Sequence, residues 1–210
     1  MIYPVPLQKL IDFYKKLPGI GEKNAERMAL ATIDLDLEEI EEFSNDIVLA
    51  KNNLRNCKIC GHLSDSEYCP ICKNENRNKN LICVIEDYKS VFTFEKVGNY
   101  NGVYHVLNGL ISPMDSIGPE DINISSLVKR VKELEKPELI LALKSSIEGE
   151  TTILYIKKIF EKYDVTISRL SYGLPMGAEI DYLDVITLDK ALSDRKKISE
   201  ENYLCYNIIL

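Results

Sequence analysis

Four cysteines constrain this chain more than any other feature of its sequence. They form two Cys-x-x-Cys pairs with eight residues between them, namely Cys57, Cys60, Cys69 and Cys72. Each pair can place two thiolates on one cation, and two pairs complete the tetrahedral shell of a Zn²⁺ ion. We therefore predict a structural zinc site, with two disulfides or four free thiols as the alternatives. Four thiolates leave no open coordination position, so this site is not expected to be catalytic. Nearby bases could offset its negative charge, namely Arg55, Lys58, Lys73 and Arg77.

The bulk composition is that of a globular protein. The chain has 210 residues, of which 45% are hydrophobic and 28% are charged, enough for one large core and a smaller module. No apolar run is long enough to cross a membrane, and the first ten residues are too polar for a signal peptide. We therefore expect a cytoplasmic protein, in which zinc is a better interpretation of the four cysteines than disulfides. Cys83 and Cys205 lie among apolar residues and are predicted to be small core residues.

Charge is distributed unevenly along the chain. The formal net charge of -7 has the wrong sign for a general nucleic-acid binder, so any such binding must be local. Residues 32–45 contain six acids and no base, whereas residues 51–79 contain six bases and three acids. We interpret the acidic run as the solvated face of a helix. The apolar positions of that helix would be Leu35, Leu37, Ile40 and Phe43.

A tight turn between two predicted helices is the second informative motif. Apolar residues recur at helical spacing over 7–16, and a second helix is predicted from Glu22. Between them stands Leu-Pro-Gly-Ile-Gly, residues 17–21, whose proline and glycines end the first helix. This arrangement resembles a helix-hairpin-helix motif.

The chemistry of this hairpin suits a phosphate backbone. Gly19 and Gly21 let main-chain N–H groups approach an anion, and the following helix points its positive dipole end at the same place. Lys23 and Arg27 are four residues apart and therefore project from one face of that helix. None of these groups reads a base edge, so the predicted DNA binding is independent of sequence. The alternative is a plain turn between two packed helices.

The remainder of the chain alternates strands and helices. Strands are predicted at 81–86, 102–107, 138–143 and 165–170, and helices at 88–97, 123–135 and 150–163. This order implies a parallel sheet flanked by helices, with sites at the carboxyl ends of its strands. Those ends carry Glu86, Asp87, Glu148 and Glu150. Clustered carboxylates suit Mg²⁺; alternatively, Glu150 caps the next helix and Glu86 is a solvated acid.

Together these motifs resemble the RecR family of bacterial recombination mediators, in order and over nearly the whole chain. The matching segments are the hairpin 17–21 with Lys23, Ala25 and Arg27, the four-cysteine finger, Ile85-Glu86 at the start of a Toprim domain, the Glu-Gly-Glu segment 148–150, and the C-terminal signature in 168–170, 173–177 and 179–182. Their order and spacing together are far more specific than any one of them alone.

The resemblance implies an α/β protein that works in DNA repair without catalysis. It implies four parts: a helix-hairpin-helix domain (1–53), a four-cysteine zinc finger (54–79), a Toprim domain (80–176) and a C-terminal segment (177–210) that oligomerises. Members form ring- or clamp-like homo-oligomers, dimers or tetramers, around single- or double-stranded DNA. They act with RecO and RecF to help RecA displace single-strand binding protein, and such a protein would associate with the nucleoid. By position, Lys23 and Arg27 would contact DNA, and Glu86, Asp87 and Glu148 would face a partner such as RecO.

The chain departs from the family pattern in two places. Residues 144–147 read Lys-Ser-Ser-Ile where the family usually has a stretch like Asn-Pro-Thr-Val. The tail from Ser199 extends past the usual end, and residues 203–210 are predicted to form an extra strand.

A second hypothesis is a Mg²⁺-dependent Toprim enzyme such as a nuclease or primase. Such an enzyme needs a second metal-binding pair, usually Asp-x-Asp, after a later strand, but here Lys144-Ser145-Ser146 follows residues 139–143. We therefore favour the mediator.

The zinc finger is not expected to read DNA, because its loop 61–68 contains Asp65 and Glu67. We interpret zinc as a staple that fixes a small segment and sets the angle between the hairpin and the Toprim domain.

Overall fold

In the computed structural model, which describes residues 3–171, 174 and 177–195, the chain divides into two units. The first unit comprises the residues up to 55 together with 64–67, and the second comprises 56–63 and the residues from 68 onward. Several predictions fall outside the described residues: the extra strand at 203–210, the placement of Cys205 and most of 173–176.

The first unit is helical. Its helices are α1 (Val5–Tyr14), α2 (Glu22–Ile33) and α3 (Leu37–Asn53). The two predicted hairpin helices are confirmed. They pack through a small core in which Ile11 and Tyr14 of α1 meet Ala25 and Ala29 of α2, both fully buried. Alanines at the contact let the two helix backbones approach closely, which sets the geometry of the turn between them.

Helix α3 carries the acidic run and begins with a capping box. The Glu39 N–H donates to the Asp36 side chain at 2.9 Å, and the Asp36 N–H donates to the Glu39 side chain at 3.3 Å. The predicted acidic face is exposed, but the predicted apolar positions are not buried. Leu37 is 71% exposed and Phe43 48%, and Leu35 precedes the helix. The reason is that no described element covers this face of α3.

The segment that carries the four cysteines follows α3 and contains only short elements. Two strands of two residues each, β1 (Arg55–Asn56) and β2 (Leu63–Ser64), pair with each other. A helix of four residues, α4 (Pro70–Lys73), comes next. Elements this short cannot bury a core of their own, which agrees with a segment that depends on a metal.

The second unit contains the predicted parallel sheet. Its elements are β3 (Asn78–Ile85), α5 (Tyr88–Val97), β4 (Gly102–Val106), α6 (Ile124–Lys132), β5 (Glu138–Ala142), α7 (Ile147–Phe160) and β6 (Thr166–Arg169), and the chain continues through a 3-10 turn (Ile180–Tyr182) to α8 (Val185–Ser193). The strand order is β4-β3-β5-β6, and every pairing is parallel. Crossovers through α5, α6 and α7 explain that topology.

Both faces of this sheet are covered. Along β3, Ile82 and Val84 belong to one buried cluster, which α6 and α7 complete, while Cys83 and Ile85 belong to a second cluster with Val91 of α5. Burial on both faces explains why the strand is an unbroken apolar run in sequence. Cys83 is a core residue, as predicted, and burial raises the pKa of its thiol to about 12.

His105 on β4 is a fully buried polar residue. Its Nε2 lies 2.8 Å from the carbonyl oxygen of Asn123, so Nε2–H donates, and Nδ1 has no hydrogen-bond partner among the described residues. Burial lowers the pKa of His105 from 6.5 to about 4, and the Arg130 guanidinium acts in the same direction. The folded protein therefore holds this imidazole neutral.

We expect His105 to reduce stability in mild acid. Above pH 6.5 the imidazole is neutral in both states and contributes no pH dependence. As the pH falls from 6.5 toward 4, the unfolded chain binds a proton that the folded chain excludes. The free energy of unfolding should then fall, by about 3 kcal/mol in full. Denaturant titrations across this range would measure it. The His105→Gln variant keeps a donor for Asn123 without titrating, so an identical pH dependence in both proteins would contradict the assignment.

Candidate metal centre and nucleic-acid interface

The four cysteines converge as their spacing predicts. Their Sγ atoms all lie within 4.8 Å of one another, and Cys60 Sγ and Cys69 Sγ are 3.6 Å apart. None of them forms a disulfide. Tetrahedral Zn–S bonds of about 2.3 Å place sulfurs at about 3.8 Å from one another, so the cluster fits a Zn²⁺ ion. Among the described residues, no other group of three or more His, Cys, Asp or Glu converges in this way.

Backbone amides already orient the thiolates. The Cys69 N–H donates to Cys57 Sγ at 3.3 Å, the Cys72 N–H to Cys69 Sγ at 3.4 Å, and the His62 N–H to Cys60 Sγ at 3.5 Å. Hydrogen bonds within the cluster lower the pKa of Cys57 and raise those of Cys60 and Cys72, so the four thiols share their negative charge. A bound cation would stabilise all four as thiolates. Helix α4 carries Cys72, and Cys69 caps it. The shell is therefore set by local turns.

The finger is anchored to the edge strand of the sheet. The Val106 N–H at the end of β4 donates to the Cys60 carbonyl at 2.7 Å. Gly61 adopts φ +75°, and a Cβ there would lie 3.1 Å from the Val106 carbonyl oxygen, so its glycine serves both the turn and the close approach. Ile71 packs on the buried clusters of both sheet faces. The finger thus shares the core of the second unit, as expected for a segment too small to bury its own.

Two basic residues that follow the last cysteine bind to the protein itself. Lys79 Nζ donates to the Cys72 carbonyl at 2.8 Å, which ties the second cysteine pair to β3. Arg77 forms an ion pair with Glu95 of α5, which also accepts from the Tyr104 hydroxyl at 2.6 Å. Burial opposes the charge on Glu95, but these partners prevail and lower its pKa. Arg77, one of the bases predicted to offset the thiolate charge, thus has a structural role beside Glu95.

The hairpin has the geometry of an anion site. Gly19 has φ +80°, and Gly21 precedes the first turn of α2. Apart from the adjacent residues, no heavy atom of the described chain comes within 4 Å of a Cβ built at either glycine. Ile20 between them packs against the α1–α2 core. The apolar residue therefore anchors the turn, while the glycines keep the backbone beside it open to solvent. Within the described part of the chain, no side chain caps the N-terminus of α2, so its first amide groups have no such acceptor there.

The predicted DNA contacts lie on the same helix. Lys23 and Arg27 of α2 are both exposed. Glu22, in the first turn, is drawn toward α1 by Lys15, whose Nζ lies 3.7 Å from it. Arg27 also lines an open groove of about 570 Å³ with Ile20, Asn24 and Met28. The structure thus places both cations and both glycines of the predicted interface around the start of one helix.

The acids predicted to face a partner lie at the carboxyl end of the sheet. Glu86 and Asp87 follow β3, and Glu148 lies in the first turn of α7, after the neighbouring strand β5. Asp87 caps α5 by accepting from the Lys89 N–H at 2.8 Å. A hydrogen bond from Ser146 lowers the pKa of Glu148. These carboxylates share the carboxyl end of the sheet, but among the described residues they do not converge into a group of three ligands.

Helix α7 begins three residues before its predicted start. Its cap is Ser146, whose hydroxyl accepts from the Gly149 N–H at 3.2 Å, so Glu150 is not the cap. Glu150 instead lies 3.6 Å from Arg169. Gly149 is buried against residues 144–147, and a Cβ there would overlap the Lys144 carbonyl oxygen. This contact is the physical reason for glycine in the Glu-Gly-Glu segment.

We expect Gly149→Ala to destabilise the second unit by at least about 3 kcal/mol, because the added methyl group meets a backbone atom that cannot rotate away. Thermal or denaturant unfolding would measure the loss. Gly21→Ala is the matched control, since Gly21 has an ordinary φ of −81° and open space around its Cβ position. Equal stability of the two variants would show that the Lys144 contact imposes no constraint.

Sequence reasoning missed the role of Arg169. This last residue of β6 lies 3.7 Å from Asp194 at the end of α8, as well as near Glu150. No local pattern signals a bridge between residues so far apart along the chain.

Among the described residues, no helix has both the length and the apolarity that a membrane crossing requires.

Comparisons with known proteins agree with this architecture. Family models match in chain order: RecR, helix-hairpin-helix at residues 7–51; RecR, four-cysteine zinc finger domain at 54–74; Toprim domain at 80–171; and RecR, C-terminal at 173–196. A Recombination protein RecR from Lactobacillus johnsonii is 47% identical over 196 residues, 93% of this chain and 98% of that protein. One from Staphylococcus aureus strain JH9 is 45% identical over 198 residues, 94% of this chain and all of that protein.

Proposed function

The chain belongs to the RecR family of recombination proteins, and on that basis we propose that it is a recombination mediator that binds DNA. It works with RecO and RecF to load RecA onto single-stranded DNA covered by single-strand binding protein. The observation that carries this proposal is the match of hairpin, finger and Toprim domain, in order, to relatives 45–47% identical over nearly the whole chain. We place this activity in the cytoplasm, at the nucleoid.

DNA binding in this proposal rests on the backbone phosphates. Exposed Lys23 and Arg27, the open glycines and the uncapped N-terminus of α2 supply the positive groups. These groups do not read bases, so single- and double-stranded DNA of any sequence should bind. The net charge of -7 confines binding to this face and makes it sensitive to salt.

Partner binding in this proposal uses Glu86, Asp87 and Glu148. Their half-buried carboxylates lie at the carboxyl end of the sheet and would attract a basic surface of RecO. A homo-oligomer, a dimer or a tetrameric ring, is proposed because apolar side chains remain exposed on separate helices. These include Phe43 and Ile47 on α3 and Val185 and Ile186 on α8. Light scattering with and without DNA would measure the mass of the assembly.

The mediator role is tested by RecA assembly on single-stranded DNA coated with single-strand binding protein. We expect the chain, together with RecO and RecF, to shorten the lag before filament growth, and DNA affinity to fall steeply with salt because phosphate contacts release counterions. An unchanged lag would refute the mediator role. Nuclease or primer synthesis that requires Glu86 and Mg²⁺ would establish the alternative, a Toprim enzyme, in its place.

A further inference from the structure

The loop that joins β4 to α6 holds an apolar side chain out in solvent. We call residues 107–123 the Met114 loop. Met114 is 95% exposed, more than any other large apolar side chain in the described part of the chain. A single exposed apolar residue is ordinary on a protein surface. Its meaning here depends on how its loop is held and on what surrounds it.

The base of the Met114 loop is fixed to the carboxyl end of the sheet and to α7. The Leu107 N–H donates to the Ile85 carbonyl oxygen at 2.8 Å, at the end of β3. The Ile111 N–H donates to the Thr152 hydroxyl oxygen at 2.9 Å. That hydroxyl in turn donates to the Glu148 carbonyl oxygen at 2.7 Å. The loop is therefore tied to the first turn of α7.

The tip of the loop is closed by bonds of its own. Ser112 and Ile117 exchange two backbone hydrogen bonds, at 3.0 and 2.9 Å. The Ser112 hydroxyl also donates to the Asp115 carboxylate at 2.6 Å, and Ser116 turns the chain back with φ +57°. Met114 thus stands on a turn that is already formed. A side chain presented in this way can dock without a large cost in backbone entropy.

A second exposed apolar side chain lies at the same end of the sheet. Ile147 is the first residue of α7 and is 82% exposed. It belongs to the helical turn to which Thr152 ties the Met114 loop, and it precedes Glu148. Two exposed apolar side chains on connected, hydrogen-bonded backbone indicate a docking surface better than either residue does alone.

The charges around these two side chains select the kind of partner. The Met114 loop carries three exposed acids, Asp115, Glu120 and Asp121, and no base. Beside Ile147, Glu148 is opposed by the exposed Lys144. The surface is therefore acidic on balance, which disfavours the phosphates of a nucleic acid and favours a basic protein surface.

We propose that Met114 and Ile147 are apolar anchors of a partner-binding surface and enter apolar pockets on a protein whose surrounding surface is basic. This inference rests on the proposed function, in which the acids at the carboxyl end of the sheet face RecO. The acids attract the partner and speed its association. The two apolar side chains lose their contact with water on docking and slow its dissociation.

Binding kinetics with immobilised RecO test the two anchors. We expect Met114→Gln and Ile147→Gln each to weaken binding about tenfold. The loss should lie in a faster dissociation rate, and the salt dependence of association should stay unchanged because no charge is altered. Thermal unfolding and DNA affinity should match those of the unaltered chain, because both side chains are exposed and lie outside the hairpin.

Val97→Gln is the matched control. Val97 is also exposed, at 65%, but it ends α5 just before β4 and so lies toward the opposite end of the sheet. This variant should bind RecO as the unaltered chain does. Equal affinities of the Met114→Gln and Val97→Gln proteins would overturn the inference and leave RecO as the partner. An unaltered chain that does not bind RecO would overturn both.

Light scattering of the Met114→Gln protein separates a different partner from a second copy of this chain. We expect the mass of the assembly to stay the same as that of the unaltered chain. A drop in mass would show that Met114 docks on another copy, and it would overturn the assignment to a basic partner.

Discussion

Replacing Cys57 or Cys72 with alanine is expected to remove zinc and destabilise the second unit by at least about 3 kcal/mol. The apparent binding energy of structural zinc in small fingers is about 10–16 kcal/mol, and much of it is folding energy. The Cys60 carbonyl accepts a hydrogen bond from the Val106 N–H at the end of β4, and Ile71 packs against both core clusters. Unfolding of the finger should therefore also destabilise the sheet. Thermal unfolding and metal analysis would measure the two effects together.

Cys83→Ala is the matched control for these variants. Cys83 is buried in the same unit but lies outside the four-sulfur cluster, so this variant should keep its zinc. Its free energy of unfolding should fall by only about 1 kcal/mol, because the cavity left by the sulfur is small. A Cys57→Ala protein that stays fully stable and loses only DNA affinity would contradict the structural role. Such a result would mean that the finger contacts DNA directly.

Reversing two charges, Lys23→Glu together with Arg27→Glu, is expected to lower DNA affinity by at least about 100-fold at moderate salt. Each lost phosphate contact should also reduce the slope of log K against log salt by about 1. Fluorescence anisotropy with labelled single-stranded and duplex DNA would measure both quantities. Circular dichroism should show an unchanged fold, because both side chains are exposed on α2.

The control for this experiment reverses two other exposed charges of the same unit, Lys9→Glu on α1 and Lys51→Glu on α3. This variant has the same net charge as the first, so it separates a local interface from a general electrostatic effect. We expect its affinity to fall much less. Equal losses in the two variants would refute the assignment of the interface to the start of α2.

Elements whose boundaries have local causes were predicted closely. Helix α5 has its predicted bounds because Asp87 caps its start and Gly98, at φ +76°, ends it, and both residues can be recognised in the sequence. Helix α2 starts at Glu22, as predicted, for the same kind of reason, since the glycines of the hairpin precede it. The start of α7 was misplaced because several polar residues could have capped it, and only the fold selects Ser146.

Features that depend on neighbours were not predictable. The pattern of α3 predicts an apolar face, but the sequence does not show that the described chain leaves that face exposed. Arg77 is next to the finger in sequence, yet it pairs with Glu95 because the fold brings α5 against it. The proximity of Gly149 to the Lys144 carbonyl likewise appears only once α7 has packed behind β5.

The sequence by itself determined the zinc ligands, the hairpin and the alternation of strands and helices, because each depends on spacing within a short stretch of chain. Tertiary structure decided the anchoring of the finger to β4, the exposure of the described α3 and the ion pair between Arg77 and Glu95. The physical reason is that spacing and backbone geometry act locally, whereas burial and pairing depend on which distant segments come to lie side by side.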